Sequence, residues 1–286
     1  MDIIPIFKDI KNCIAFLTRI PINTKIDIPK QLAPKMWLFP IVGFLIGLII
    51  SLLGLFLFQI LPSLLVGFIL LSILLFLTGA HHLDGLLDFG DGLMVIGSPE
   101  HKIEVMHDVS IGAGGFSLGL MVLSLTGLAM GYLTNYLIIA FISCEVISKF
   151  NMVAACSVGK SAGTQMAEPF IRVNKKKHMI FAGLLSIFLI LLSIFLHEIF
   201  YNLYNSIPAL ELIFFPINPF FIIDLFQIIL IILLFSFGAA MPLFILMRLS
   251  HKHFKGLTGD CLGALNEITR LFVLILFVCF QEILAL

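Results

Sequence analysis

Seven stretches of this chain, at residues 37–60, 63–80, 114–132, 134–157, 179–200, 221–247 and 268–286, are apolar almost without interruption. Each is close to the ~20 residues that carry an α-helix across the hydrocarbon of a bilayer. Residues 1–20 read differently. Ile3, Ile4, Phe7, Ile10 and Ile14 alternate with Lys8, Asp9 and Lys11, the pattern of an amphipathic helix lying at a membrane interface. Between the second and third apolar runs lies a polar, acidic stretch, 81–113, too long for a simple turn. No internal repeat, low-complexity tract or composition shift divides the chain. The expectation is an all-α, polytopic membrane helix bundle with about seven transmembrane helices and an N-terminal interfacial amphipathic helix, forming one integral-membrane catalytic domain over residues 1–286.

Composition agrees with this class. Of 286 residues, 60% are hydrophobic and 12% charged, and the mean hydropathy is +1.14, values that a soluble domain rarely reaches. The five cysteines contain no CxxC pair, which argues against a disulfide framework or a thiolate metal site. The first twenty residues lack the apolar core and small-residue cleavage site of a signal peptide.

Charge distribution sets the expected orientation. With the N-terminus inside, the inner segments are 1–36, 81–113, 158–178 and 248–267, and the long outer connection is 201–220. All seventeen Lys and Arg residues lie in, or within about ten residues of, an inner segment, and 201–220 has none. A multi-pass protein of the cell membrane is expected, with N-terminus and active site cytoplasmic and C-terminus outside. The single Trp37 marks an interface, and the run Lys175–Lys177 suits topology or lipid headgroups.

The candidate chemistry starts at "HHLDGLLDFGDGL". Asp84, Asp88 and Asp91 are spaced four and three apart, so on a helix they share about 60° of arc. Two such carboxylates about 5 Å apart repel by roughly 3 kcal/mol at an effective dielectric near 20. They must bind a cation, meet basic partners or take up protons. A solvated acidic face is the plain alternative, but it would not need Gly85 and Gly92, which permit close approach of a ligand or another helix. An all-oxygen set favours Mg²⁺, with Mn²⁺ acceptable, over zinc, which His81 and His82 leave open.

Two further stretches join this one on the inner face. "EVMHDVSIGAGG" places Glu104 and Asp108 one turn apart and runs into a glycine-rich helix start, where the amides around Gly112 and Gly114 can cradle phosphate oxygens. "GDCLGALNE" puts Asp260 and Glu267 on one face beside Gly263 and Ala264. Arg19, at the break before Pro21, and Lys160 are candidate contacts for an anionic substrate. Glu145 and Lys149 are one turn apart within a span.

Taken together, "FLTRIP", "HHLDGLLDFGDGL", "MHDVSIGAGG" and "GDCLGALNE" resemble the membrane-embedded cobalamin synthase family, adenosylcobinamide-GDP ribazoletransferase, in order and from residue 16 to about 270. Lys149 and Lys160 stand where this family is expected to carry arginines. The resemblance implies Mg²⁺-dependent joining of adenosylcobinamide-GDP to α-ribazole or its 5′-phosphate, with release of GMP. It implies small-molecule and lipid-bilayer partners and no nucleic acid, and leaves a homo-oligomer open. In this reading Asp84 and Asp88 are metal ligands, Asp91 is a ligand or the catalytic base, and Asp260 completes the set. Asp108 and Glu267 are second choices for metal. His82 orients a ligand or phosphate, and Gly85, Gly92, Arg19, Gly112, Gly114, Lys149 and Lys160 contact substrate. The rival readings are a CDP-alcohol phosphatidyltransferase-like lipid enzyme, whose D-G-x-x-A-R signature is broken here by Leu87 and Asp88, and a cation transporter.

Overall fold

The structure is a computed structural model that describes residues 3–22, 31–134, 136–164, 166–206 and 225–285. Eleven described α-helices and one 3₁₀ helix make up the bundle. They are α1 (Ile3–Leu17), η1 (Ala33–Leu38), α2 (Phe39–Leu57), α3 (Ser63–Thr78), α4 (His81–Met94), α5 (Pro99–Met106), α6 (Ala113–Tyr132), α7 (Leu137–Val158), α8 (Glu168–Val173), α9 (Lys176–Ser206), α10 (Leu225–Phe254) and α11 (Gly259–Ala285). Among the described residues there is no strand, only an isolated parallel bridge between Ser161 and Leu257.

Six of the described helices are long and apolar enough to cross a membrane, or seven when the bent pair α3–α4 is included. The apolar runs therefore located the spans. The connection 201–220, expected on the outer side, lies mostly outside the described residues. The N-terminal segment is helical over Ile3–Leu17, with Cys13 and Leu17 buried.

α7 is the centre of the bundle. Almost all of it is buried, with α2, α9, α10 and α11 packed around it. Chains of apolar side chains that meet other helices lie here, whereas α9 and α10 turn Phe181, Phe188, Phe195 and Phe244 outward, each more than half exposed. Outward phenylalanines on helices of this hydropathy are the lipid-facing surface.

The polar stretch after α3 is helical. α3 ends in a Schellman turn in which the Ala80 amide donates to the Leu75 carbonyl at 3.0 Å and the Gly79 amide to Phe76 at 3.2 Å. Both Gly79 (φ 68°) and Ala80 (φ 56°) are left-handed, and the chain leaves at 97° to α3. α4 therefore turns off the axis of α3 at this elbow. Ser98 then caps α5 by accepting from the His101 amide at 3.3 Å.

One boundary differs from the sequence reading. Residues 248–267 were expected to connect two spans, but α11 begins at Gly259, leaving only 255–258 between helices. The Thr258 hydroxyl accepts from the Cys261 amide at 3.1 Å and starts the helix. The polar residues of "GDCLGALNE" are thus helical, and Asn266 and Glu267 are packed inside, Asn266 against Lys149 of α7 and Glu267 against Arg270.

Candidate active site

α4 and α11 cross at two glycines. A Cβ on Gly85 would stand 2.9 Å from the Asp260 Cα, and one on Gly263 would stand 3.2 Å from the Gly85 Cα. No side chain fits between backbones that close. The crossing brings Asp84 and Asp88 of α4 to Asp260 of α11, residues about 170 positions apart in sequence. It also explains Gly85: the close approach is to another helix.

The half-buried Asp88 reports this convergence. Burial, and the neighbouring carboxylates of Asp260, Asp84 and Asp91, push its carboxyl up to about 7 from an ordinary 3.8. Mutual repulsion of this kind is relieved by a divalent cation, and three carboxylates offer the oxygen donors that Mg²⁺ prefers. The chemistry of the donor set therefore fits a hard cation. Among the described residues, however, no three His, Cys, Asp or Glu side chains converge closely enough to hold one ion.

Three of the six acids expected to bind metal are engaged elsewhere. Asp91 accepts from the amides of Gly112 and Gly115, both at 2.8 Å, one on each carboxylate oxygen. It caps the start of α6 from a neighbouring helix, a placement favoured by the helix dipole. The anion cradled by that glycine-rich start is the protein's own carboxylate, and Gly114 packs against the Gly90 carbonyl of α4. Asp108 is exposed and accepts from the amide (2.9 Å) and hydroxyl (2.7 Å) of Ser110, which hold its carboxyl below the usual range. Glu267 is buried and paired with Arg270.

That last pair belongs to a network inside the bundle. Arg270 of α11 meets Glu145 of α7 and Glu267 of its own helix. Lys149 donates to Glu145 at 3.1 Å and to the Asn266 side chain at 2.7 Å. All four charges are essentially without exposure, and they sum to zero. Lys149 was expected to contact substrate. Instead it is spent inside this network, because an ammonium at this depth must be neutralised. Sequence spacing showed the Glu145–Lys149 half, whereas Arg270 was missed although Glu267 stands three residues before it, because Glu145, which joins the two halves, lies on another helix.

The acids open onto a cavity of about 890 Å³, a size that suits an organic ligand. Asp84, Asp260 and three histidines, His81, His82 and His107, line it together with Phe16, Phe39 and Phe170. His82 is buried, and its Nδ1 meets no partner among the described residues; nor does the buried Thr164 hydroxyl on the same cavity. Phe16 and Leu17 of "FLTRIP" are wall residues, and the charged residue of that motif is placed next to the elbow. The Arg19 amide donates to the Leu77 carbonyl at 2.7 Å, and its side chain lies over Gly79, where a Cβ would meet Arg19 Nε at 2.6 Å. Lys160 is exposed; its amide donates to His251 Nε2 at 3.3 Å. Gly92 packs on Met106 of α5.

Comparison with known proteins points the same way. The family model described as cobalamin-5-phosphate synthase matches residues 9–278. An adenosylcobinamide-GDP ribazoletransferase of Methanocella arvoryzae is 31% identical over 270 residues, 92% of this chain and 92% of that one. One of Pyrococcus abyssi is 30% identical over 273 residues, 94% of this chain and 99% of that one. No solved structure matches.

Proposed function

Since the chain belongs to the cobalamin-5-phosphate synthase family, and is thus a transferase of cobalamin biosynthesis, we propose that it joins adenosylcobinamide-GDP to α-ribazole or α-ribazole 5′-phosphate and releases GMP, with Mg²⁺. Family membership favours this reaction over the lipid-headgroup and ion-path readings. The observation that carries the site is the Gly85–Gly263 crossing, which brings Asp84 and Asp260 together on the cavity, with Asp88 beside them on α4.

The reaction is a substitution at phosphorus. A hydroxyl of the ribazole ribose attacks the corrinoid-side phosphorus of the diphosphate, the bond to the GMP oxygen breaks, and the hydroxyl proton passes to a carboxylate. Asp84 and Asp260 line the cavity and are the groups to take it. Asp84, Asp88 and Asp260 would hold the metal, which when bound supplies charge neutralisation for the diphosphate and the departing phosphate. His82, with a buried ring nitrogen lacking a protein partner, is placed to orient a substrate oxygen.

The test is GMP release by purified, detergent-solubilised protein given adenosylcobinamide-GDP, α-ribazole and Mg²⁺. Release that needs all three additions supports the reading. Release of CMP from CDP-diacylglycerol and an alcohol, with no GMP from the corrinoid pair, overturns it.

A further inference from the structure

The short helix α5 carries a lysine that points inward. Lys102 is buried, and its ammonium group has three acceptors for its three protons. It donates to the Gly92 carbonyl at 3.3 Å, to the Leu93 carbonyl at 3.4 Å and to the carbonyl of Val95. The donor complement is thus full, and every partner is main chain. These carbonyls belong to the last turn and the C-cap of α4, the groups a helix leaves without amide partners and where its dipole is negative. A buried ammonium tolerates this place only while the matching acceptors stay there. Lys102 and the end of α4 therefore hold each other.

Gly92 lets the two helices come this close. A Cβ there would stand 3.1 Å from the Lys102 carbonyl oxygen and would run into the Met106 side chain. α5 also turns Ile103 and His107 to the cavity. Its Glu100 pairs at 2.7 Å with Lys255, in the connection that leads to Asp260 and α11. α5 is a bracket between the helix of acids and the helix that supplies Asp260, and Lys102 is its buried attachment. Resting on the function proposed above, we infer that Lys102 is a positioning residue for the cation: it holds the last turn of α4 so that Asp88 faces the same ion as Asp84 and Asp260. The two acids of α4 differ in what secures them. Asp84 precedes Gly85, which the backbone of α11 pins. Asp88 lies one turn before Gly92, and the helical bond between the Gly92 amide and the Asp88 carbonyl is among the first to open when α4 frays from its end.

The experiment titrates Mn²⁺ alone into full-length, detergent-solubilised protein, reads free Mn²⁺ by electron paramagnetic resonance and records melting curves on the same samples. Lys102→Met should weaken Mn²⁺ binding about tenfold, and Lys102→Arg, which keeps a cation with several donors, should return it to within about threefold of native. In an Asp88→Asn background, Lys102→Met should weaken binding no further. A plain helix cap would lower the melting temperature and leave Mn²⁺ affinity unchanged, and that result overturns the inference. So does equal weakening by Met and Arg, or a full loss that persists without the Asp88 carboxylate. Should Lys102→Met fail to fold, Gly92→Ala takes its place, since it pushes α5 off the last turn and keeps the ammonium; native Mn²⁺ affinity in that variant overturns the inference. GMP release separates this role from the reaction. Weakened Mn²⁺ binding in the variant, with no GMP release by the native protein, upholds the positioning role and removes the ribazoletransferase reading. GMP release by the native protein with unchanged Mn²⁺ binding in the variant does the reverse, and native protein that binds no Mn²⁺ removes the inference outright.

Discussion

Gly263 faces Gly85 across the α4–α11 crossing so closely that a methyl group on Gly263 would stand 3.0 Å from the His82 carbonyl oxygen and 3.2 Å from the Gly85 Cα. Backbone cannot yield as a flexible side chain can, so Gly85→Ala and Gly263→Ala must push the two helices apart. The overpacking should cost about 1–3 kcal/mol. The displacement separates Asp260 from Asp84 and Asp88, and GMP release should fall about a hundredfold. Kinetics alongside thermal melting in detergent check both effects.

The acids should divide by role. Asp84→Asn and Asp260→Asn remove charge at the cavity and should lower GMP release about 10²- to 10³-fold with little change in melting. Asp91→Ala removes the cap of α6 and should destabilise the protein by about 1–2 kcal/mol. Asp91→Asn keeps one acceptor oxygen and should recover part of that loss. A melting series over the four variants distinguishes a cap from a ligand.

The carboxyl of Asp88, raised to about 7 by burial and by Asp260, Asp84 and Asp91, sets a pH dependence. Because its folded value lies above the ordinary 3.8, its contribution to stability in the metal-free protein is fully present below about 4 and is lost as pH rises through about 7. Metal runs the other way, since a cation must displace the proton. Isothermal titration should show Mg²⁺ binding about tenfold more tightly at pH 8 than at pH 6, and Asp88→Asn should remove that difference.

Removing one charge from the buried network leaves another unpaired. Lys149→Met, or Arg270→Met, should destabilise by about 3–5 kcal/mol. The neutral double variant Lys149→Met with Glu145→Gln should be milder than the sum of its parts if Arg270 keeps Glu267. Detergent melting curves for the two single variants of the pair and the double close the cycle.

Much of this architecture was legible in the chain. Apolar runs match the six long apolar helices, while the run at 63–80 gives a 16-residue helix that reaches membrane length only with its bent continuation α4, and the cluster Asp84, Asp88 and Asp91 marks the helix at the candidate site. Tertiary partners were not legible. Spacing places Asp91 on the same arc as Asp84, but the amides it accepts from, Gly112 and Gly115, come from another helix. Glu267 and Asp260 share a helix face, yet one turns to Arg270 and the other to the cavity. Glycines in a membrane helix show that something approaches closely without saying what, and at Gly85 it is the backbone of α11. The aromatic lining of the cavity gave no local signal, because Phe16, Phe39 and Phe170 sit in separate apolar stretches that look like any other core.

The attachment of Arg19 to the elbow joins parts that otherwise lie far apart. Three residues before Arg19, Phe16 lines the cavity; two residues after Gly79, α4 begins its course to the acids. The segment that carries Phe16 and the turn that launches α4 therefore meet at one seam, through the Leu77 carbonyl and the bare Cα of Gly79. A substitution at that seam is therefore felt both by the segment that carries Phe16 and by the turn from which α4 sets out to Asp84.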